Sequence, residues 1–524
     1  MTWLLNSGRM PYVAMLALSI ALLVTVAVTA PAIVTDSDIA LTEIYTDLAA
    51  DRELRVGPYS RFAWNHPGPL YFYLQAPLYV ISARNAAALF AGAVALNLSA
   101  LGILGWVIRR EQNALAAASV VIGCLILACR VPRFLASPWT AHVPVLPLLA
   151  LLVVCAAVSA GRVARLPLAT LLASFTVQTH VGYVPLSVAL LSVAIVANVW
   201  RGSSNRQELS RQIVFSAGVF LVLWSLPLMD ALEHDGGNLA ALWTFFTSGM
   251  IATPGHSWSD ALRHALYGLT GIARADLVLP WGGHFAVDIG PVAWCIAVAE
   301  TALIAVLGVS AHRRKKAFQA NLSLLSLLAL LVGVWSLTHV PDDILDHEIF
   351  WLSALGALNC GLIAGAGIGR LTRQSAAPAR PLGTTAGLIV VVAAGLALGA
   401  LSFRDFTAFE RRRTDRAAIV RMYEAVQRYL NDRRARKPLV TLEPLKWSQA
   451  AGVILRLRRA GYTPAVSDDW IHMFTSAFAG SGDEDTEIRI GGTSLRSQRT
   501  GSSDRAVLYD SLGLYVDGSS LTRR

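Results

Sequence analysis

Hydrophobic residues are concentrated in eleven stretches of roughly 20 residues, and polar residues collect between them. An α-helix needs roughly 20 apolar residues to cross a bilayer, so each stretch predicts a membrane-spanning helix. The first run is about 23 residues long, which exceeds the roughly 7–15 apolar residues of a signal peptide and predicts an uncleaved anchor. The stretches lie at about 12–34, 86–108, 113–130, 143–160, 166–180, 184–200, 213–229, 291–311, 319–338, 350–369 and 382–402.

Three polar regions interrupt this pattern. Two long loops are expected at about 35–85 and about 230–290, and a polar tail follows the last span. We predict a transmembrane domain over 1–402 and a small α/β domain over 403–524. In the tail, PLVTL, YTPAVS, TEIRIGG and AVLYDSLGLYV are typical of strands, FTAFERRRTDRAAIVRMYEAVQRYLNDRR of a charged helix, and WSQAAGVILRLRRAG of a helix closed by Gly461.

Composition and charge agree with a multi-pass membrane protein and set its orientation. The 524 residues are 55% hydrophobic and 15% charged, with a mean hydropathy of +0.52, whereas soluble domains carry about 25% charged residues. With the N-terminus in the cytoplasm, the inner loops hold fifteen basic residues and two acids, Glu111 and Glu208. Eleven spans then place the C-terminus outside the plasma (inner) membrane. The net charge of +10 is therefore mainly a topology signal and does not indicate nucleic-acid binding.

The five cysteines all fall inside predicted spans. They form no CxxC pair and no metal-finger spacing, so neither a disulfide framework nor a cysteine metal site is indicated.

Acidic residues follow the first predicted span directly. Asp36, Glu43 and Asp47 stand at i, i+7 and i+11, which is one face of a helix. Asp38 adds a further carboxylate beside the membrane. Such carboxylates could act as a general base, with Asp36 and Asp38 as the candidate ligands if a divalent cation such as Mg or Mn is used. Alternatively, Asp36 or Asp38 caps the helix.

A second polar segment, GPYSRFAWNHPGPLYFY, completes the first outer loop. Prolines around Gly68 cannot continue a helix, so a new element should begin after Pro69. Its roughly twelve apolar residues are too few to span, which predicts a helix lying along the membrane surface over 70–82. Tyr59, Arg61, Trp64 and His66 precede it; arginine suits a phosphate and aromatic faces suit sugar rings. An interfacial aromatic belt is the alternative interpretation.

This arrangement resembles the GT-C superfamily of membrane glycosyltransferases. The cluster of Asp36, Asp38 and Glu43 resembles the catalytic acid motif of that superfamily, and HPGPLYFYL resembles the His/Lys-Pro-Pro-Leu segment of the branch that contains protein O-mannosyltransferases and aminoarabinose transferases. Gly68 separates the two prolines here, which departs from that segment. The resemblance covers roughly residues 10–230, and it implies a GT-C-like helical membrane domain and a polyprenyl-phosphate-linked sugar donor.

Other polar residues are expected at the same membrane face. Arg130 and Arg133 begin the second outer loop, His180 lies between the fifth and sixth spans, and His347 lies between the ninth and tenth. Convergence from several loops favours a polar cavity that binds substrate, although each residue also has a structural interpretation as an anchor, a hydrogen-bonded histidine or part of a solvated loop. Glu300, inside the eighth span, is expected to pair with a neighbouring helix.

The favoured function is an inverting glycosyltransfer to an extracytoplasmic glycan, lipid or protein acceptor, in which Asp38 or Asp36 takes the acceptor's proton. Arg61, with Arg130 or Arg133, would stabilise the departing phosphate, and His66 and His180 would act near it. Two alternatives remain at this stage. The chain could transport or flip a lipid-linked glycan, or it could be a non-catalytic assembly subunit whose tail binds a partner.

Overall fold

The computed structural model describes residues 25, 27–131, 133–200, 206–248, 255–274, 290–374, 385–412, 415–497, 505–511 and 513–521. Most of the predicted first span therefore lies outside the described residues. By packing, the chain divides into two compact units, one formed by Met1–Gly92 with Asp405–Arg524 and the other by Ala93–Arg404. The predicted boundary at 402/403 lies close to the second junction, but the tail shares its unit with the first outer loop.

The helices are named in chain order. They are α1 (Ser37–Ala50), α2 (Leu70–Ile81), α3 (Ala87–Glu111), α4 (Ala114–Arg130), α5 (Val145–Ser159), α6 (Leu166–Thr179), α7 (Val184–Trp200), α8 (Arg206–Leu223), α9 (Ser225–Glu233), α10 (Gly237–Thr247), α11 (Trp258–Leu269), α12 (Pro291–Arg313), α13 (Ala317–Thr338), α14 (Asp346–Gln374), α15 (Thr385–Arg412), α16 (Asp415–Arg433), α17 (Trp447–Arg459), α18 (Ile471–Phe474) and α19 (Thr493–Ser497). The strands are β1 (Pro438–Leu442), β2 (Ala465–Val466), β3 (Thr486–Gly491), β4 (Ala506–Ser511) and β5 (Leu514–Ser520).

Five helical segments within the described residues are long and apolar enough to cross a membrane. A sixth is obtained if α8 and α9, which meet at a 55° bend, form one span. The predicted spans at 113–130, 143–160 and 166–180 correspond to the shorter helices α4, α5 and α6, of 17, 15 and 14 residues. The five segments are Ala87–Glu111, Val181–Trp200, Pro291–Arg313, Ala317–Thr338 and Asp346–Leu371. The number of eleven spans stays a prediction.

Helix α5 forms the centre of the second unit. Every one of its residues is buried, and it packs against α6, α7, α13 and α14. A helix that is apolar on all sides is stable only when it is enclosed, so the surrounding helices explain its composition.

Glycines allow α4 and α14 to lie unusually close together. A Cβ atom at Gly361 would lie 2.5 Å from the Cα atom of Val120, and one at Gly123 would lie 2.6 Å from the carbonyl oxygen of Ala357. Small residues at such crossings let two backbones approach each other in an apolar environment.

The one acid placed by the sequence within a span takes part in a polar network. The amide of Asn359 donates to Glu300 over 2.8 Å, and the hydroxyl of Ser326 donates to Asn359 over 2.8 Å. The network links α12, α13 and α14, so Glu300 pairs with a neighbouring helix as the sequence indicates.

A five-stranded sheet forms in the tail, with the strand order β2-β1-β3-β5-β4. Strand β1 runs parallel to β2 and β3, whereas β5 is antiparallel to β3 and β4. The predicted strand in PLVTL corresponds to β1, and YTPAVS contributes only the two residues of β2. The run AVLYDSLGLYV is divided between β4 and β5, because Gly513 (φ +72°) turns the chain.

The first outer loop and the tail helices pack within the same unit. Helix α17 lies against both α1 and α16, and Gly461 (φ +82°) follows it in the left-handed conformation that ends many helices. A helix is found close to the predicted range 70–82, as α2, and its place along the membrane surface stays a prediction. The predicted charged helix is divided between the end of α15 and α16, with residues 413–414 outside the described residues.

Candidate functional site

Helix α1 begins directly after Asp36, the first acid of the predicted motif. Asp36 is extended (φ −140°, ψ 173°) at the N-cap position, but its side chain makes no capping hydrogen bond. The residue is fully buried. The structure therefore gives no support to a capping role for the carboxylate of Asp36, which was the alternative left open by the sequence.

Asp38 lies in the first turn of α1 and is half-buried. The hydroxyl of Tyr59 donates to its Oδ1 atom over 2.6 Å. Burial and the nearby Asp38 carboxylate raise the pKa of Tyr59 well above its usual value, so the hydroxyl keeps its proton. Tyr59 thereby orients one oxygen of Asp38 and stabilises its ionised form.

Glu43 is fully buried and is held by residues that the sequence did not associate with it. The guanidinium of Arg459 at the end of α17 lies 2.6 Å from its Oε1 atom, and the hydroxyl of Thr35 donates to Oε2. Arg459 also donates to the hydroxyl of Tyr79 and to the carbonyl oxygen of Arg84. Burial raises the pKa of Glu43, and Arg459 and Thr35 oppose that rise. These contacts attach α17 to the middle of α1.

A second ion-pair group continues along the same face of α1. Arg84 lies 2.6 Å from both Asp47 and Asp51. Arg458 lies 3.2 Å from Asp47 and 2.8 Å from Glu53. We call Arg84, Arg458 and Arg459 with their carboxylate partners the arginine clamp. The predicted acidic face of α1 is therefore divided, because Glu43 and Asp47 belong to the clamp, whereas Asp36 and Asp38 lie at the helix start.

The segment between α1 and α2 forms a small hairpin. Tyr59 and Asn65 pair across it as an antiparallel bridge, and the amide of His66 donates to the carbonyl of Pro58 over 2.7 Å. A Cβ atom at Gly57 would lie 2.5 Å from the carbonyl oxygen of His66. Glycine is therefore needed at position 57 for the two sides of the hairpin to meet.

The four predicted binding residues of this segment differ in exposure. Trp64 and His66 are 6% and 8% exposed and contact each other edge to face, with ring centres 5.4 Å apart. Arg61 is exposed at the tip, 5.0 Å from the ring centre of Phe62. The hairpin thus uses buried rings to support an exposed guanidinium.

Contacts from the tail also hold this hairpin in place. The amide of Asn65 donates to the hydroxyl of Tyr45 over 3.0 Å and to the carbonyl of His472 over 3.3 Å. Tyr45 in turn donates to the carbonyl of Met473 over 3.0 Å. Sequence analysis did not find these partners, because carbonyl oxygens leave no signature in the residue pattern.

The remaining predicted residues belong to the second unit. Arg130 donates from one guanidinium nitrogen to the carbonyl oxygens of Gly271 and Ile272, over 3.0 and 2.5 Å. Arg133 adopts a left-handed conformation (φ +71°) at the start of a short turn. Arg130 therefore fastens its loop to the segment after α11.

The two predicted histidines of the second unit lie in separate loops. Burial lowers the pKa of His180 to about 3, and the charge of His347 acts in the same direction. The ring of His347 also packs against Trp139, with centres 5.0 Å apart, and His180 accepts from the amide of Gly182 over 3.2 Å. Each predicted histidine is thus held by contacts of its own.

Arg274 is a buried cation that sequence analysis missed. It is 7% exposed, and its guanidinium lies 3.9 Å from the ring centre of Tyr267. Its only signal in the sequence is that it is one of two arginines in an outer loop that holds six acids. Among the described residues, no group of three or more His, Cys, Asp or Glu side chains could hold a metal ion, so metal dependence stays a prediction.

Comparisons with known proteins bear on the fold. No family model and no curated protein matches the sequence. The crystal structure of ArnT from Cupriavidus metallidurans bound to undecaprenyl phosphate matches with a TM-score of 0.57 and 12% identity, over 97% of each chain. The apo structure of the same ArnT matches with a TM-score of 0.52 and 11% identity, over 98% of each chain. The protein therefore shares the fold of ArnT, which agrees with the fold that the sequence resemblance implies.

Proposed function

We propose that the protein is an inverting glycosyltransferase that moves a sugar from a polyprenyl-phosphate-linked donor to an extracytoplasmic acceptor. The observation that supports it most directly is the likeness to ArnT over 97% of both chains, in a structure bound to undecaprenyl phosphate. A fold alone does not define an activity. The carboxylates of Asp36 and Asp38 at the start of α1, which can accept a proton, are the second support for the proposal.

In the proposed reaction, Asp38 or Asp36 removes the proton of an acceptor hydroxyl. The acceptor oxygen then bonds to the anomeric carbon as the bond from that carbon to the phosphate oxygen breaks. The electron pair leaves with polyprenyl phosphate, and the configuration inverts. Because phosphate leaves as a stable anion, one base and electrostatic stabilisation are sufficient.

Structure supports different roles for the two aspartates and Glu43. Asp38 is oriented by Tyr59, and Asp36 lies buried at the start of the same helix; we propose that one of the two holds the proton-accepting oxygen. Glu43 is bound by Arg459, so we propose that it supports α1 rather than taking the acceptor's proton.

Cationic and aromatic side chains would bind the donor. We propose that Arg61, which is exposed at the tip of the hairpin, meets the leaving phosphate, and that Arg130 is a further candidate. Arg133, His180 and His347 remain proposed substrate contacts, as do Tyr59, Trp64 and His66. A divalent cation such as Mg or Mn, with Asp36 and Asp38 as its candidate ligands, stays part of the proposal.

We propose further that the chain crosses the plasma (inner) membrane eleven times, with the N-terminus in the cytoplasm. The residues from 403 onwards would then form an extracytoplasmic α/β domain. The five long apolar helices among the described residues and the ArnT fold support a multi-pass membrane protein. The charge bias of the loops supports this orientation.

The decisive experiment is turnover by the full-length protein in nanodiscs. Undecaprenyl-phosphate-linked pentoses and hexoses would be offered with membrane extract as acceptor, and released undecaprenyl phosphate would be measured. Loss of a general base lowers rates by about 10²–10⁴-fold, so at least one of Asp36→Asn and Asp38→Asn should show a loss of this size. Asp432→Asn, at an exposed position of α16, is the matched control.

Wild-type rates in both Asp36→Asn and Asp38→Asn would overturn the proposed base. Movement of the labelled donor across the bilayer without its cleavage would favour the transporter or flippase. Loss of function on deletion of the tail, with both aspartates dispensable, would favour the assembly subunit.

A further inference from the structure

A cavity of about 110 Å³ lies among helix ends of the second unit, far along the chain from the candidate site. It is formed by the end of α3, the start of α4, the ends of α12 and α14, and the start of α13. Its polar lining includes Gln112, Ser310, Arg314, Lys316, Gln319 and Arg370. The lining contains three cations and no acid.

These cations are not neutralised within the described residues. There, the side chains of Arg314, Lys316 and Arg370 make no ion pair or hydrogen bond. The nearest acid in sequence to the cavity, Glu111, is already shared by Arg162 and Arg165 over 3.1 and 2.9 Å. The stretch 371–384, which follows Arg370, contains no Asp or Glu. The cavity therefore has a positive potential that favours an anion.

A buried amide in the wall also lacks a partner. The Nε2 atom of Gln112 is inaccessible to solvent and makes no hydrogen bond to any described residue. A buried donor left unpaired is costly, and most such groups in folded proteins have a partner. A rotation of the Gln112 side chain towards the cavity would let an oxygen-rich ligand there supply that partner.

The apolar surroundings indicate where such a ligand comes from. Leu307 and Leu362 form part of the wall, and both lie on helices long and apolar enough to span a membrane. Basic cavities between transmembrane helices are suited to the phosphate groups of anionic lipids. A single water needs roughly 10–15 Å³ of such space, so about 110 Å³ admits a phosphate group.

We propose that this cavity binds the phosphate group of an anionic phospholipid. Arg314, Lys316 and Arg370 would supply the charge, and Gln112 would donate a hydrogen bond to one phosphate oxygen. Basic residues in a cytoplasmic loop are also expected from membrane topology alone. Topology does not, however, require those residues to line a cavity beside a buried amide. The site is separate from the proposed glycosyl transfer, and its occupancy does not depend on that function.

The test measures lipid binding to the purified full-length protein by native mass spectrometry in a neutral detergent. Phosphatidylglycerol is the main probe, phosphatidylcholine the zwitterionic control and sn-glycerol 1-phosphate the soluble phosphate. Arg314→Gln removes a lining cation. Arg313→Gln removes the same charge from the preceding position, which is exposed and does not line the cavity. Gln112→Leu removes the buried donor without changing charge.

We expect the wild type and Arg313→Gln to bind one phosphatidylglycerol with equal affinity, and Arg314→Gln and Gln112→Leu to bind it at least about tenfold more weakly. Equal weakening by Arg313→Gln and Arg314→Gln would overturn the site, because only net charge would then matter. Equal binding of phosphatidylcholine would also overturn it. Tight binding of sn-glycerol 1-phosphate would overturn the lipid as the ligand and indicate a soluble phosphate compound in its place. If Gln112→Leu does not fold, the comparison of Arg313→Gln with Arg314→Gln still tests whether the cavity binds the lipid.

Discussion

At the residue scale, the hydrogen bond between Tyr59 and Asp38 has the clearest chemical consequence. Tyr59 donates over 2.6 Å to a half-buried carboxylate. A hydrogen bond to the ionised form lowers a carboxyl pKa. Removing the hydroxyl should therefore make Asp38 harder to ionise.

We expect Tyr59→Phe to shift the acidic limb of the pH–rate profile to higher pH by about one unit, because such a bond contributes roughly 1.5 kcal/mol and one unit equals about 1.4 kcal/mol. Transfer rates measured between acidic and neutral pH would test this. Tyr73→Phe is the matched control, since Tyr73 donates to the carbonyl of Leu54 in the same loop. An unchanged profile would argue that Asp38 is not the titrating base.

Asp51 makes a separate prediction about acid stability. The hydrogen bond from Arg84 lowers the pKa of Asp51 from 3.8, with further help from Arg458. Because the folded-state pKa is depressed, the stabilisation is present above the ordinary pKa and is lost as the pH falls through the folded-state value. The melting temperature of Asp51→Asn should fall less steeply than that of the wild type as the solution is acidified through this range. Parallel curves for the two proteins would contradict the prediction.

At the element scale, the arginine clamp explains how a distant helix of the tail supports the first outer loop. Arg459 and Glu43 are 416 residues apart in sequence and form a hydrogen-bonded ion pair. Glu43 is fully buried, so removing its partner would leave a buried charge without compensation. Such losses are much larger than those of surface ion pairs.

We expect Arg459→Gln to lower the free energy of unfolding by about 3 kcal/mol, and Glu43→Gln with Arg459→Gln to cost less than the sum of the single changes. Denaturant unfolding of the four proteins in the mutant cycle would measure the coupling. Arg428→Gln, at an exposed position of α16, should be nearly neutral. Additive effects of the two changes would show that the ion pair does not connect α17 to α1.

Helix formation itself was largely predictable at this scale. The start of α2 after Pro69 follows from prolines that cannot continue a helix, and β1 follows from the strand pattern of PLVTL. The short helices α4, α5 and α6 show the limit of the approach. Apolar runs of such length are compatible with a membrane span or with an enclosed helix, and only the neighbours of α5 identify it as enclosed.

At the scale of the whole molecule, the proposed topology places the tail outside the cytoplasm. Ser481 is exposed in the tail, and Lys315 is exposed in a predicted inner loop. After replacement of the exposed Cys129 and Cys295 by serine, a cysteine can be introduced at either position. A membrane-impermeant maleimide then reports on which side of the membrane each one lies.

We expect Ser481→Cys to be labelled in spheroplasts, which retain an intact inner membrane, and Lys315→Cys to be labelled only after that membrane is permeabilised. Positive residues concentrate on the cytoplasmic side, so the two positions should behave oppositely. Labelling of Lys315→Cys in intact spheroplasts would contradict the orientation. Labelling of both positions alike would contradict an odd number of spans between the two sites.

The sequence by itself determined the features that depend on neighbouring residues. Hydrophobicity over windows of roughly 20 residues, proline geometry and strand patterns are local properties, so they indicated the apolar helices, the start of α2 and most of the strands. The acidic motif and the HPGP segment also carried the sequence resemblance, and the likeness to the ArnT structure over 97% of both chains agrees with it at the level of the fold. Only the tertiary structure showed which acids are bound in ion pairs and which lie at the start of α1. Arg459, Tyr59 and Gly57 act through partners brought close by folding, and burial separates Glu43 from Asp38 although both lie on one short helix. Such pairings depend on long-range packing, which a local pattern does not encode.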